Sequence, residues 1–304
     1  MDGLLIIDKP KGCTSHDVVL RVRRLLGTTR VGHGGTLDPD ATGVLLVAIG
    51  QATRFFPFLS GHDKTYEGRI RLGFATDTYD AGGRPTSEEW TGDFPGEAAV
   101  AAAMKSLEGE ILQVPPPYSA KKLGGKPAYK LARAGKDFVL KPVRVGVRMF
   151  KLDNYEPPFL DFAAACSPGT YIRSLAHDLG RALGCGGHLH SLRRTSSGPY
   201  ALDAAIPLSE VERAASEGRA GRLLIPLEDL LPGTPAVVLR PEAAPRVANG
   251  SPLLRTHLAE CPAGTFAAAG ETPVFKVFDF RGKLLALARP SAAGDALLPF
   301  LVLP

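Results

Sequence analysis

The chain has 304 residues, 44% hydrophobic and 22% charged, with a formal net charge of +5. That length supports a large core and two domains, and the balance is that of a globular protein, not a disordered or fibrous one. No apolar run approaches the roughly 20 residues needed to span a bilayer, and four cysteines with no C-x-x-C pair argue against a zinc knuckle or a disulfide framework.

The N-terminus, Met1-Asp2-Gly3-Leu4-Leu5-Ile6-Ile7-Asp8, carries no basic leader, so a cytoplasmic location is expected. Gly3 to Asp8 reads as a strand and Lys9-Pro10-Lys11-Gly12 as a turn. Ser15 is a suitable N-cap for a helix in which Val18, Val19, Val22, Leu25 and Leu26 recur at helical spacing, with Gly27 just past its end. Val31 to Gly43 holds four glycines and Pro39, which makes it a loop with demanding backbone geometry. Within it Pro39 disfavours the α region for Asp38, so one carboxylate is held in a restrained pose. A tight turn whose aspartate bonds its own backbone fits these residues too.

The run Val44 to Ile49 reads as a buried strand or helix start, Gln51 to Leu59 as a short helix, and Lys64 to Gly73 as an alternating strand that turns Tyr66 inward with Gly68 and Ile70. Thr76 to Gly83 is a polar loop. It has the spacing of a calcium loop but no closing glutamate. Ala98 to Leu107 is helical. Pro115 to Lys122 cannot be a central strand or a helix interior, and reads as a stiff arm ending in a basic patch before a short helix from Pro127 to Ala134.

Strands are predicted over Val143 to Leu152 and Leu160 to Cys166. Gly169 to Arg173 opens a helix running to Leu183, and Arg173 lies near its N-terminus, the wrong end of the dipole for a cation without a specific partner. His188 to Thr195 reads as a strand with both histidines on one face, and Ser209 as the cap of a helix through Ala215. Leu231 to Pro235 is the predicted domain boundary. Beyond it Ala236 to Leu239, Gly264 to Ala269, Val274 to Asp279 and Leu284 to Ala288 read as strands of a small β-rich domain. Basic residues cluster at Arg21 to Arg30, at Lys121 to Arg133 and at Arg193-Arg194, a pattern suited to a polyanion, although each cluster is also compatible with an unoccupied wet face.

Gly32-His33-Gly34-Gly35-Thr36-Leu37-Asp38-Pro39 resembles the G-H-x-G-x-L-D-P motif of the TruB family of bacterial tRNA pseudouridine-55 synthases. Lys9 to Gly12 resembles the family's K-P-x-G, and Thr76 to Gly83 its T-D-T-x-D-x-x-G. Tyr118 to Lys122 with Gly125 and Ala132-Arg133 resembles its Y-S-A-x-K arm. Gly169 to Arg173, Asp178 to Gly180 and Leu192 to Arg194 resemble its third block. The tail resembles a PUA domain. Leu46 departs from the proline that relatives commonly carry there.

The resemblance implies an α+β fold: a mixed, largely antiparallel central sheet with flanking helices, plus a small C-terminal β-barrel. The catalytic domain would span 1–232, with an RNA-clamping arm at about 115–140, and the PUA-like domain 235–304. It further implies conversion of uridine 55 in the tRNA T-arm to pseudouridine, by a monomer without metal, cofactor, guide RNA or protein partner.

Asp38 is then the nucleophile or base, Arg173 its cationic partner, and Tyr66 the ring stacked on uracil, with its hydroxyl placed where a proton acceptor at C5 is needed. His33 fills the space left by the flipped base, Tyr171 and Leu192 wall the pocket, and Lys9 supports its floor. Lys122, Arg133, Arg193 and Arg194 lie along phosphates. The competing readings are a non-catalytic tRNA-binding protein and a hydrolase that cleaves the base, which would call for a second carboxylate. Asp77 and Asp80 are the nearby candidates, and loop-bracing suits them better.

Overall fold

The apolar runs of the first 232 residues meet in one ten-stranded mixed sheet. The computed structural model describes residues 1–119, 121–266 and 273–304. Ala120 of the arm motif, and positions 267–269 of the strand expected over Gly264 to Ala269, lie outside the described residues. The sheet contains β1 (Gly3–Lys9), β2 (Val31–His33), β3 (Thr42–Ile49), β4 (Lys64–Leu72), β5 (Gly109–Gln113), β6 (Val143–Glu156), β7 (Phe159–Cys166) and β8 (Gly187–Ser197). Its order is Ile206–Pro207, β1, β3, β8, β4, β7, β6, β5, with β2 and Tyr200–Ala201 paired at the side. Most pairings are antiparallel; β8 runs parallel to β3, and Ile206–Pro207 parallel to β1.

Helices α1 (Ser15–Leu26), α2 (Glu97–Ser106), α3 (Ala128–Arg133), α4 (Ile172–Ala182) and α5 (Leu208–Ser216) complete this part. Leu5 and Ile7 of β1, with Leu45 and Val47 of β3, join Val18, Val22, Leu175, Leu179 and Val211 in one core. Leu4, Ile6, Val44 and Leu46 point the other way, into a second core shared with Leu284, Leu287 and Leu301. These strands are covered on both faces, which is why they read as unbroken apolar runs rather than alternating ones. Leu46 is fully buried there.

Those three leucines belong to a second, six-stranded, barrel-like sheet, ordered Leu253–Leu254, Ala296–Val302, Leu284–Pro290, Phe275–Phe278, Ala236–Leu239, Leu258–Glu260. It holds a core of its own around Val237, Leu239, Val277 and Leu297.

Several local expectations are corrected. Thr14, not Ser15, caps α1, through a reciprocal capping box with Asp17. The Ser15 hydroxyl instead accepts from Leu37 N at 2.8 Å and donates to Leu37 O at 3.1 Å. Pro207 occupies the cap of α5, because Ile206–Pro207 is still paired with β1, and this leaves Ser209 inside the helix. The Gln51 to Leu59 stretch is a 3-10 segment followed by a single α-turn. A bulge between Leu189 and Ser191 breaks the alternation of β8, so His188 is buried while His190 is exposed. Gly264 to Phe266 forms a turn, and the strand Ala296–Val302 adds an element that the sequence pattern does not mark.

One glycine fixes how β3 meets β8. Gly43 has φ +98°, and a Cβ there would overlap the Arg194 carbonyl oxygen. Gly43→Ala is expected to cost about 2 kcal/mol or more, from the strained φ and the lost close approach, read as a lowered denaturation midpoint.

Candidate active site

The Asp38 loop is pinned by five residues. Ser15 holds Leu37. Gly34 N donates to Leu46 O at 2.8 Å, and Gly12 N donates to Pro39 O at 2.9 Å. Lys9 Nζ donates to the carbonyls of Pro10, Cys13 and Pro39 at 2.8, 2.7 and 3.0 Å. Arg194 donates to the Val44 and Gly35 carbonyls at 2.7 and 3.1 Å and reaches Thr36 O at 3.5 Å. A loop bonded this way presents its one acid at a fixed place.

Arg173 meets that acid from the first turn of α4. Its Nη2 donates to Asp38 Oδ1 at 2.9 Å, and its Nε lies 2.9 Å from Oδ2, a two-pronged pair. The same guanidinium donates to Thr78 O at 3.0 Å and Tyr118 O at 3.1 Å, with Asp80 Oδ2 3.4 Å from Nη1. Thus one side chain joins the Asp38 loop, the Thr76–Gly83 loop and the arm. It is sealed in, with 7% of its side chain exposed, whereas the Asp38 side chain keeps 39%. The carboxylate is therefore reachable from solvent while its partner is not. Burial pushes the Asp38 carboxyl above the usual carboxylate range; the two Arg173 bonds pull it back, and Asp80 pushes it up again.

Two residues that position this pair leave little sign in the sequence. Gln113, fully buried, accepts from Tyr171 N at 2.8 Å and donates to Tyr171 O at 3.1 Å, which fixes the entry to α4 two residues before Arg173. Asp80, expected to brace its loop, takes its own turn bonds from Thr78 Oγ1 and Gly82 N and also lends a charge to Arg173. Asp80→Asn keeps the turn geometry and loses the charge, so single turnover is expected to slow about 10- to 100-fold, the worth of one charge-assisted bond, with tRNA affinity unchanged by filter binding.

Tyr66, 8% exposed, lies in the same core, and burial pushes its phenol up against the pull of Arg194. Tyr171 is half-buried at the α4 cap, and Leu192 is half-buried opposite Gly68. His33 is half-buried, with a buried Nδ1 that has no partner among the described residues.

One residue expected on phosphates is out of their reach: Arg194 is 1% exposed. It serves the loop from within, as does Lys9, expected beneath the pocket and fully buried on its three carbonyls. Arg193 is on the outside and bonds Asp8 Oδ2 at 2.7 Å. Lys122 and Arg133 are exposed on the arm, and Arg133 sits over the Tyr129 ring at 5.7 Å. A groove of about 500 Å³ is lined by Lys11, Asp40, Thr42, Glu67, Leu192 and Arg193 among others; Asp38, Tyr66 and Arg173 are not in its wall.

Residues 23–172 match the TruB family pseudouridylate synthase N-terminal domain, and 173–232 the tRNA pseudouridylate synthase B C-terminal domain. The tRNA pseudouridine synthase B of Solibacter usitatus is 42% identical over 304 residues, covering 100% of this chain and 99% of that relative. The enzyme of the same name from Geobacter sulfurreducens is 43% identical over 271 residues, 89% of this chain and 88% of that one.

Among solved structures, a chain of an H/ACA RNP bound to a substrate RNA containing 2′-deoxyuridine superposes with a TM-score of 0.74 at 27% identity, covering 99% of this chain and 85% of its own. A chain of a Cbf5–Nop10–Gar1 complex gives 0.74 at 29% identity, covering 99% and 84%.

Proposed function

This chain belongs to the TruB family of pseudouridylate synthases and forms pseudouridine in tRNA, and from that premise we propose that its target is uridine 55 of the T-arm, with Asp38 as the reacting acid. The observation that carries the reading is the two-pronged Arg173–Asp38 pair, sealed on the arginine side and open on the acid side. In the conversion the C1′–N1 bond breaks, the uracil turns, C1′ bonds to C5, and the C5 proton leaves while N1 gains one. The net change is an isomerisation with no change of oxidation state. An ionised carboxylate can serve by attack at C1′, by attack at C6, or by removing the 2′ proton. All three require it charged, and Arg173 favours that form.

The target base lies in a folded loop and must be swung out, at a cost of a few kcal/mol that stacking and edge contacts offset. Tyr66 is the ring on which the uracil stacks, its hydroxyl is the acceptor of the C5 proton, and Tyr171 and Leu192 close the pocket. His33, whose buried Nδ1 lacks a partner among the described residues, fills the space left in the RNA. Lys122 and Arg133 on the arm and Arg193 on β8 take phosphates, in keeping with recognition of folded RNA by shape and backbone. Residues 1–232 carry the chemistry, and residues 235–304 form a PUA-like domain that adds RNA contact.

The solved neighbours belong to assemblies with other proteins or RNA. We extend the proposal to a chain that works as a monomer, without guide RNA or protein partner. No helix among the described residues is long and apolar enough to cross a membrane, and a tRNA substrate fits a cytoplasmic enzyme.

The test is product analysis with the purified chain alone and tRNA carrying tritium at uridine C5. Tritium release with pseudouridine at position 55 supports the reading. Free uracil would mean hydrolysis, and binding without either product would mean a non-catalytic binder.

A further inference from the structure

Arg194 is among the largest fully buried side chains of the protein, at 1% exposure. Among the described residues no carboxylate lies within ion-pair distance of it. Its bonds run to the carbonyls of Val44, Gly35 and Thr36. A permanent guanidinium charge in that position is expensive to bury without an acid, since a carbonyl offsets only part of the lost hydration. A second cation deepens the cost. Lys64 and Arg194 flank Gly35 together, and the Lys64 ammonium, bonded to the Ser60 and His62 carbonyls, is pulled down to about 8 by burial and by Arg194. Packing alone would favour an apolar residue there.

The register shows what the charge faces. Arg194 pairs directly with Tyr66 across β8 and β4, on the same face of the sheet, and its charge pulls the Tyr66 phenol down against the upward push of burial. We propose that Arg194 is a positioning residue for the reaction: it sets a fixed cation against the Tyr66 hydroxyl while its remaining donors hold the Asp38 loop, so that one side chain aligns both the acid and the phenol.

The missing acid then makes sense. A carboxylate beside Arg194 would cancel the field at the phenol, whereas neutral carbonyls leave it. A phenol that is to take up the C5 proton must first give up its own, to solvent or to the N1 that gains one, and a nearby cation stabilises the phenolate. Arg173 bonds Asp38 and Arg194 faces Tyr66, so the two groups of the reaction each have a separate buried arginine. Gly43 is required because the backbone of Arg194 has to come this close to β3.

The inference rests on the reading of Tyr66 as the proton acceptor, and a double-mutant cycle separates the two. Single-turnover rates on tRNA are measured for the unaltered protein, Arg194→Gln, Arg194→Lys, Tyr66→Phe and the Arg194→Gln, Tyr66→Phe double variant, with affinity followed by filter binding. Arg194→Gln is expected to be at least about 30-fold slower at unchanged affinity, within the usual range for an acid–base group, with Arg194→Lys intermediate. In the Tyr66→Phe background, removing Arg194 should cost at least about threefold less than in the unaltered protein, the remainder being its hold on the Asp38 loop.

Equal costs in both backgrounds would overturn the inference and leave Arg194 as a brace for the loop. A Tyr66→Phe rate equal to that of the unaltered protein would overturn the reading of Tyr66 itself. If neither Arg194 variant folds, the guanidinium 15N resonances of Arg194 decide the contact. They should shift on Tyr66→Phe, and unchanged resonances would overturn the proposal.

Discussion

Asp38→Asn is expected to bind tRNA within about twofold of the unaltered protein and to release tritium from C5 at least about 10⁴-fold more slowly, an effect at the upper end for a single acid–base or nucleophilic group. The substitution changes little in shape. An asparagine oxygen still accepts from Arg173 Nη2, but its NH2 then faces Arg173 Nε, donor against donor, where a carboxylate oxygen now lies 2.9 Å away. The amide has no charge to attract the guanidinium and no lone pair basic enough to take a proton or attack carbon. The loop is held by Ser15, Lys9 and Arg194, none of which bonds the Asp38 side chain, so the fold and the RNA surface should persist. Single-turnover tritium release beside filter binding reads the two effects separately.

Arg173→Lys is the second large effect, about 10²- to 10³-fold in single-turnover rate. A lysine keeps the charge and loses the fork. The guanidinium at this site spans both Asp38 oxygens, the Thr78 and Tyr118 carbonyls and Asp80. One ammonium with three donors cannot serve five acceptors that approach from three segments, so some buried oxygens lose their partner, and each such loss costs about 1–3 kcal/mol. The carboxylate would also turn more freely, and a small misorientation of a reacting group is expensive in rate. A rate within about threefold of the unaltered protein would mean that the charge alone matters and the fork does not.

Much of this site is legible in the amino-acid sequence. Asp38 is marked by the glycines and proline around it, and Arg173 by standing at the wrong end of a helix dipole. The inward ring of Tyr66 follows from strand alternation, and it is indeed 8% exposed. What the sequence hides depends on long-range pairing. Ser15 looks like a helix cap because its neighbour Thr14 offers the same hydroxyl one residue earlier, and only the fold shows that Ser15 is engaged with Leu37, 22 residues away. Gln113 sits in an ordinary polar–apolar stretch, and its pairing with Tyr171 spans 58 residues.

Arg193 and Arg194 read as one basic pair, yet adjacent residues on a strand point to opposite faces. One therefore meets Asp8 at the surface and the other disappears beneath the Asp38 loop. Lys9, expected to support the site from below, is buried with three carbonyls closed around its Nζ, a set of partners that the sequence does not mark. In the second sheet the strand Ala296–Val302 is obscured because Pro299 breaks its pattern, and that proline is accommodated at a bulge opposite Ala288.

Arg173 keeps the Asp38 carboxylate charged, and the acid side of the pH–rate profile measures that directly. Burial has moved the Asp38 carboxyl upward from its ordinary value and Arg173 opposes the shift, so activity, which needs the carboxylate, falls as pH drops through that raised value. Removing the guanidinium must raise it further. Single-turnover rates on tRNA across pH 4 to 8, for the unaltered protein and Arg173→Gln, should show the acid limb displaced to higher pH in the variant, in addition to the lower plateau. A limb at the same pH in both proteins would contradict the account.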